Sequence, residues 1–472
     1  MTTFFSRNRR DFLRNAACAS LAAASSNALF SQLRLLNSAV AADAGCAAYP
    51  AVSDYKALIC VFLSGGNDSY NLLVPSDTSR YATYSAARGA MAIARNQLLP
   101  INVTNALGGQ NYGLHPSCPE LASVFDASHG AFILNTGTVL QPTNKVEYLQ
   151  PGYPVPPQLF SHADQQAQWQ YGQPSANGTV GWGGLVADRL NVLNAGATIP
   201  ISISLGGQNR FQAGLDVQPY AIASSGPTAL RGYNGTAHAA QLAALKDLLA
   251  QAYPDPLTRT YNATFNDAMD YYNAMTNALA SSAPLQTTFP ANNPLASALQ
   301  MIAQVIASRT ALSARRQIFF VSLGGFDTHD NMLADQPGLF TTLSQALGAF
   351  YQATTELGVQ DSVTTFTMSE FSRTLNTDGD GTDHAWGGTH FVMGGAVRGG
   401  RLYGTPAASG GIFPDQTLNG PDCLQRGQMI PATSCDQYSA TLARWLGVNE
   451  CDLATIFPYL GNFASGDLGF LS

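Results

Sequence analysis

KALICVFLSGGND (56–68) runs apolar from Ala57 to Leu63 and stops at Gly65-Gly66 before delivering Asn67 and Asp68. A strand with one wet face alternates polar and apolar residues. A run without alternation reads as a strand buried on both faces, the habit of a parallel sheet covered by helices. The same figure returns as ISISLGG (201–207) and QIFFVSLGGFD (317–327), while GAFILNTGT (130–138) and SVTTFTMSEFSR (362–373) are strand-like runs ending in small or polar residues.

Helical patterns separate these runs: CPELASVFDAS (118–128), AAQLAALKDLLAQAY (239–253), a stretch around 259–283, PLASALQMIAQVIAS (294–308), LFTTLSQALGAFYQATTEL (339–357) and SATLARWLGV (439–448). Strands alternating with helices predict an α/β fold with an open, mostly parallel sheet. The aromatic, Pro- and Gln-rich stretch from about 140 to 190 reads as a long loop over the sheet ends. In such sheets ligands gather beyond the carboxyl ends of the strands. That places Asp68 after one strand, Asp327 and His329 after another and Glu370 after a third. The glycine pairs also suit any tight strand-to-loop turn.

The first residues carry a different message. Arg9-Arg10 is followed by Asp11, Phe12, Leu13 and Arg14, then by an Ala-rich, weakly apolar run and the small-residue site Ala39-Val40-Ala41. This is a twin-arginine signal, so 1–41 is expected to be a signal peptide read by the Tat export machinery, and 42–472 a single mature domain in the periplasm or outside the cell. Export of a folded chain suits a protein that loads a cofactor before it leaves. An oxidising destination permits cysteine pairing, with Cys423 and Cys435 the expected pair and Cys60 a buried free thiol. No later segment reaches the eighteen apolar residues of a membrane span. With a net charge of −7 and no basic run after the signal, the chain offers no surface for nucleic acid.

Three of the seven histidines, His329, His384 and His390, lie in GGFDTHD (324–330) and TDHAWGGTH (382–390), two of them against acids. A divalent cation takes carboxylate oxygens and neutral imidazole nitrogens, which Asp68, Asp327, His329, Asp383, His384 and His390 supply. Asp-Thr-His leaving a strand points its first and third side chains the same way, whereas adjacent Asp383 and His384 point apart and could serve two ions. NTDGDGTD (376–383) is not an EF-hand, because the twelfth position from Asp378 is Thr389 rather than Glu. GxSxG, GxxxxGK[ST], HExxH and the Rossmann glycines are all missing.

FLSGGNDSYNLLVP, FSHADQQAQW, SLGGFDTH, SEFSRT, DHAWGGTHFVMGGAVRGGRLYG and DQYSATLARWLGV, in this order, resemble the exported bacterial family known as domain of unknown function 1501. That family is grouped with the alkaline phosphatase and sulfatase superfamily. The resemblance implies an αβα sandwich with long loops and a metal centre at the strand ends. It implies Asp68 as the first-strand acid, Asp327 and His329 at a second site, Asp383-His384 as the paired ligands and His390 as the final histidine. Glu370 competes with Asp383, because the strand that should deliver the pair ends in Ser369-Glu370. The Asp327–His329 spacing is two where the superfamily has four, and the sulfatase CxPSR context is absent, Cys118 standing in SCPEL.

For a nucleophile the resemblance points to Ser161, with His162 beside it and Thr136 and Thr138 as rivals; Ser161 equally suits the cap of a helix through SHADQ. The function these readings imply is metal-dependent hydrolysis of phosphate or sulfate esters, in an anionic small molecule or a glycan. Zn or Ca ions would be the cofactor, and Arg373 or Arg398 would balance the anion. A non-catalytic exported binding or surface-assembly protein on the same fold is the alternative.

Overall fold

The computed structural model describes residues 46–172, 178–230, 238–377 and 379–472. The signal expected at 1–41 lies outside them, as does Asp378.

Twelve strands are present among the described residues: β1 (Lys56–Leu63), β2 (Leu73–Pro75), β3 (Leu99–Ile101), β4 (Tyr112–Leu114), β5 (Gly130–Gly137), β6 (Ser202–Ser204), β7 (Tyr220–Ala221), β8 (Arg316–Leu323), β9 (Val363–Met368), β10 (Gly388–Met393), β11 (Arg401–Tyr403) and β12 (Thr433–Ser434). A nine-stranded sheet has the order β11-β5-β10-β9-β1-β8-β6-β7, with β12 also on β5. β1 is parallel to β8 and β9, and the flanking pairs are parallel too. Only β10 in this sheet runs against its neighbours β5 and β9. A separate antiparallel sheet joins β2, β4 and β3. The fold is thus mixed α/β with a large, mostly parallel sheet, and the five expected strands are β1, β5, β6, β8 and β9.

The unbroken apolar runs are buried as their composition requires. Ala57 through Leu63 are at most 1% exposed. Leu58, Phe62, Ile318, Phe320, Phe366 and Met368 pack with Trp169, Trp182 and Trp445 in one core. Each fully buried large side chain of this kind contributes about 1.5–3 kcal/mol.

Helices Pro119–Asp126, Ala239–Leu249, Pro256–Ser281, Pro294–Ala307, Met332–Glu356 and Cys435–Leu446 lie where the periodicity placed them. The stretch from 140 to 190 differs from the expected long loop. It contains helices Lys145–Tyr148, His162–Tyr171 and Trp182–Leu190. Local chemistry explains the first two. Asn144 and Glu147 form a reciprocal capping box. Ser161 caps the second helix, and Gly172 at φ 63° ends it.

The chain divides into two compact units. Ala48–Pro227 with Ala274–Ser472 holds both sheets, and Thr228–Asn273 belongs to a smaller one. In the smaller unit, helix Ala239–Leu249 has no buried residue. The cysteine pairing departs from expectation: Cys423 and Cys435 are buried free thiols, as are Cys60 and Cys118, and the disulfide-bonded residues are Cys46 and Cys451. Among the described residues no helix is long and apolar enough to cross a membrane.

Candidate metal centre

The carboxyl ends of β1, β8 and β9 converge because these strands are neighbours in parallel register. Beyond β1 the chain turns at Gly65, φ 118°, where a Cβ would collide with the backbone nitrogen of Asp327. Glycine is required there by both conformation and space. The turn lets Gly65 N–H donate to Glu370 Oε1 at 2.8 Å, which ties the β1 and β9 exits together. Glu370 is buried, 2% exposed.

Onto this frame the structure brings His162, Asp327, His329 and His384. His162 comes from the first turn of helix His162–Tyr171, and its Nδ1 lies 3.0 Å from Glu370 Oε1. His384 precedes β10, and its Nδ1 lies 2.7 Å from the Phe160 carbonyl oxygen. A carboxylate and a carbonyl can only accept, so both imidazoles carry a proton on Nδ1. In a neutral imidazole that leaves Nε2 as a bare lone pair. The two Nε2 atoms face each other at 3.0 Å.

Two lone pairs at that separation repel unless a positive charge lies between them. A proton on His384 is disfavoured: burial pushes this imidazole below its ordinary pKa, as do neighbouring His162 and Arg373, against the Phe160 hydrogen bond and Asp327. A single proton between the rings or a divalent cation satisfies both atoms, and only the cation also draws in the Asp327 carboxylate as a third ligand. Asp327 completes the arrangement, with Oδ2 3.4 Å from His162 Nε2 and Oδ1 3.5 Å from His384 Nε2. One ligand atom from each of His162, Asp327 and His384 lies within 4.8 Å of the others. Tetrahedral ligands at zinc distances stand about 3.3 Å apart. The residues therefore fit a borderline cation, with imidazoles held through Nδ1 by Glu370 and by a backbone carbonyl, the usual outer support of metal-binding histidines.

His329 stands beside this triad. Its Nε2 is 3.0 Å from both His384 Nε2 and Asp327 Oδ1, and its Nδ1 is 3.2 Å from Asp383 Oδ1. Asp383 in turn pairs with Arg426. Asp383 thus backs an imidazole, and so does Glu370. The adjacent side chains of Asp383 and His384 both reach His329, at its Nδ1 and its Nε2.

Arg373 is fully buried and donates to Asp327 Oδ1 at 2.8 Å and to the carbonyls of Gly65 and Thr382. Burial raises the Asp327 pKa, but the Arg373 hydrogen bond and charge outweigh it, with His162 and His329 adding to the effect, and the carboxyl is held below its usual range. Arg373 therefore braces a carboxylate, and Arg398 follows the far end of β10.

Two expected ligands stand apart from the cluster. Asp68 is 1% exposed and pairs with Arg88, itself fully buried, at 2.5 Å. His390 lies inside β10, packed edge-on to Trp169 with ring centroids 4.7 Å apart and stacked on Tyr438. Burial pushes it down to about 3, as suits a neutral core histidine. Ser161 acts as a helix cap: its Oγ accepts from Asp164 N–H and donates to Asp164 Oδ2 at 2.6 Å. Thr136 and Thr138 are fully buried, with Thr136 Oγ1 donating to the Leu134 carbonyl and Thr138 Oγ1 accepting from Gln165.

Sequence reasoning missed the Phe160 carbonyl, Gln165, Arg88 and Arg426. Phe160 sits at φ 71°, held by a 2.6 Å hydrogen bond from its N–H to Gln165 Oε1. A positive φ at a bulky residue is a local strain that the surroundings must impose. Here it aims a carbonyl at His384.

These features define the class: an α/β protein whose mostly parallel sheet carries a cluster of imidazoles and carboxylates at its strand ends. The chain belongs to the family described as Protein of unknown function (DUF1501), which it matches over residues 55–422. No curated protein matches it. Among solved structures, Ps i-CgsB is 10% identical, with 87% of this chain and 77% of that chain covered and a TM-score of 0.34. BT1596, a 2-O GAG sulfatase, is 9% identical over 85% and 71%, with a TM-score of 0.30. A mutant of the alkaline phosphatase PafA is 10% identical over 69% and 64%, with a TM-score of 0.24.

Proposed function

We propose that this chain is an exported, metal-dependent hydrolase of phosphate or sulfate esters, its substrate an anionic small molecule or glycan. The observation that carries the reading is the 3.0 Å approach of His162 Nε2 and His384 Nε2, both with Nδ1 fixed on acceptors, next to the Asp327 carboxylate. Two imidazoles with one carboxylate favour zinc over calcium, which prefers an all-oxygen shell. The twin-arginine segment supports export, and the disulfide-bonded state of Cys46 and Cys451 suits an oxidising compartment.

His162, Asp327 and His384 would hold the cation, which would supply Lewis acidity toward an ester oxygen and a water. The protein's own groups do the rest. Glu370 and the Phe160 carbonyl hold the two imidazoles in the tautomer that presents Nε2. Arg373 keeps Asp327 ionised and oriented. His329, 43% exposed and backed by Asp383, is placed to move a proton between water and leaving group. Ser161 is committed to its cap, so water serves as the nucleophile.

The test is turnover of a panel of aryl sulfates, aryl phosphates and aryl phosphodiesters by the protein purified with zinc, before and after chelation. The proposal expects hydrolysis that chelation abolishes and zinc restores. Activity indifferent to chelation would overturn it, and a zinc-loaded protein that turns over none of the panel would be a binding or assembly protein instead.

A further inference from the structure

The fold resemblance implies two metal ions, one of them held by Asp68; Asp68 Oδ1 is buried without a hydrogen-bond partner, but Oδ2 is taken by Arg88 and no further pair of ligand side chains stands within reach among the described residues. We infer that the centre takes a single divalent cation, and that the Arg88 guanidinium permanently fills the cationic role at Asp68. This rests on the cation reading of the His162–Asp327–His384 triad and fixes its stoichiometry.

Three observations carry it. First, the Asp68–Arg88 pair is sealed: the side chains are 1% and 0% exposed, and Arg88 Nη2 stands 2.5 Å from Asp68 Oδ2. The guanidinium therefore already takes the place beside Asp68 Oδ2 that a metal ion would need. Second, Arg88 is fixed from other sides as well. Its Nη1 donates to the carbonyls of Thr374 at 3.0 Å and Leu375 at 3.4 Å, and its Nη2 reaches Met332 Sδ. Helix Thr78–Arg88 delivers it at its last residue, so backing it out would disturb the helix end.

Third, Asp68 lacks companions. Among the described residues, the one group of three or more His, Cys, Asp or Glu side chains with ligand atoms close enough for an ion is His162, Asp327 and His384. Arg373 extends the same logic toward the triad. It is fully buried and its Nη1 braces Asp327. Buried guanidinium groups thus pair with both Asp68 and Asp327.

The experiment measures zinc per chain by inductively coupled plasma mass spectrometry after dialysis, and by native mass spectrometry, on the wild-type mature protein, Asp68→Asn and His384→Ala. One ion per wild-type chain, retained at unchanged affinity in Asp68→Asn and lost in His384→Ala, is the expected result. Two ions per wild-type chain would overturn the inference while leaving the proposed function standing. No bound ion would overturn both. Asp68→Asn leaves Arg88 without its counter-charge, and if that variant does not fold, wild-type stoichiometry still decides between one ion and two.

Discussion

His162 Nε2 and His384 Nε2 face each other at 3.0 Å although neither carries a proton in the tautomer its Nδ1 partner imposes. On the proposed metal reading, the groups behind the rings, Glu370 and the Phe160 carbonyl, matter to the cation as much as the rings themselves.

Glu370→Gln keeps an oxygen that can accept from Gly65 N–H but removes the negative charge that holds His162. Zinc affinity falls about 10- to 100-fold while the fold survives. A competition titration against a chromogenic chelator measures it. Unchanged affinity would separate Glu370 from the centre.

His329→Gln separates two roles for the most exposed imidazole of the cluster. As a proton-transfer group, its loss lowers kcat by roughly 10²- to 10⁴-fold with bound zinc unchanged. Loss of the metal instead would make His329 a ligand.

His390 makes stability depend on pH. Its folded pKa is about 3 against an ordinary value of 6.5, because burial disfavours the imidazolium. The unfolded chain takes up a proton below the ordinary value while the folded chain does not. The stabilisation is therefore complete above that value and is lost as pH falls from it toward 3. Thermal melts from neutral pH down to about pH 4 should show a steep acid limb that His390→Phe flattens. Parallel profiles for the two proteins would remove His390 from the account.

On the proposed hydrolase reading, the charges at the centre select the substrate. Asp327 and Asp383 are matched by Arg373 and Arg426, and Glu370 offsets half of a divalent cation. The remaining single positive charge suits a singly charged ester. Aryl sulfates or phosphodiesters should show higher kcat/KM than the corresponding dianionic phosphate monoester, a ranking that steady-state kinetics on matched leaving groups decides. Preference for the dianion would contradict this charge balance.

The parallel core was legible in the sequence for a physical reason: Ala57–Leu63 and Ile318–Val321 are buried on both faces, and so nothing polar interrupts them. β10 was hidden because His390 read as a site residue, whereas an antiparallel strand between β5 and β9 buries it. Asp327, His329 and His384 stood out because imidazole is scarce here and follows strand ends. The Phe160 carbonyl could not stand out, since every residue has one and only the strained backbone aims it. Asp68 looked like a ligand because its partner Arg88, 20 residues on, ends a helix whose docking no local pattern reveals.

The most direct measurement is anomalous X-ray diffraction at the zinc edge from crystals of zinc-loaded protein. The account predicts one anomalous peak bounded by His162 Nε2, His384 Nε2 and the Asp327 carboxylate. A fully loaded crystal with no peak at that point, or with its peak at Asp68, would contradict it.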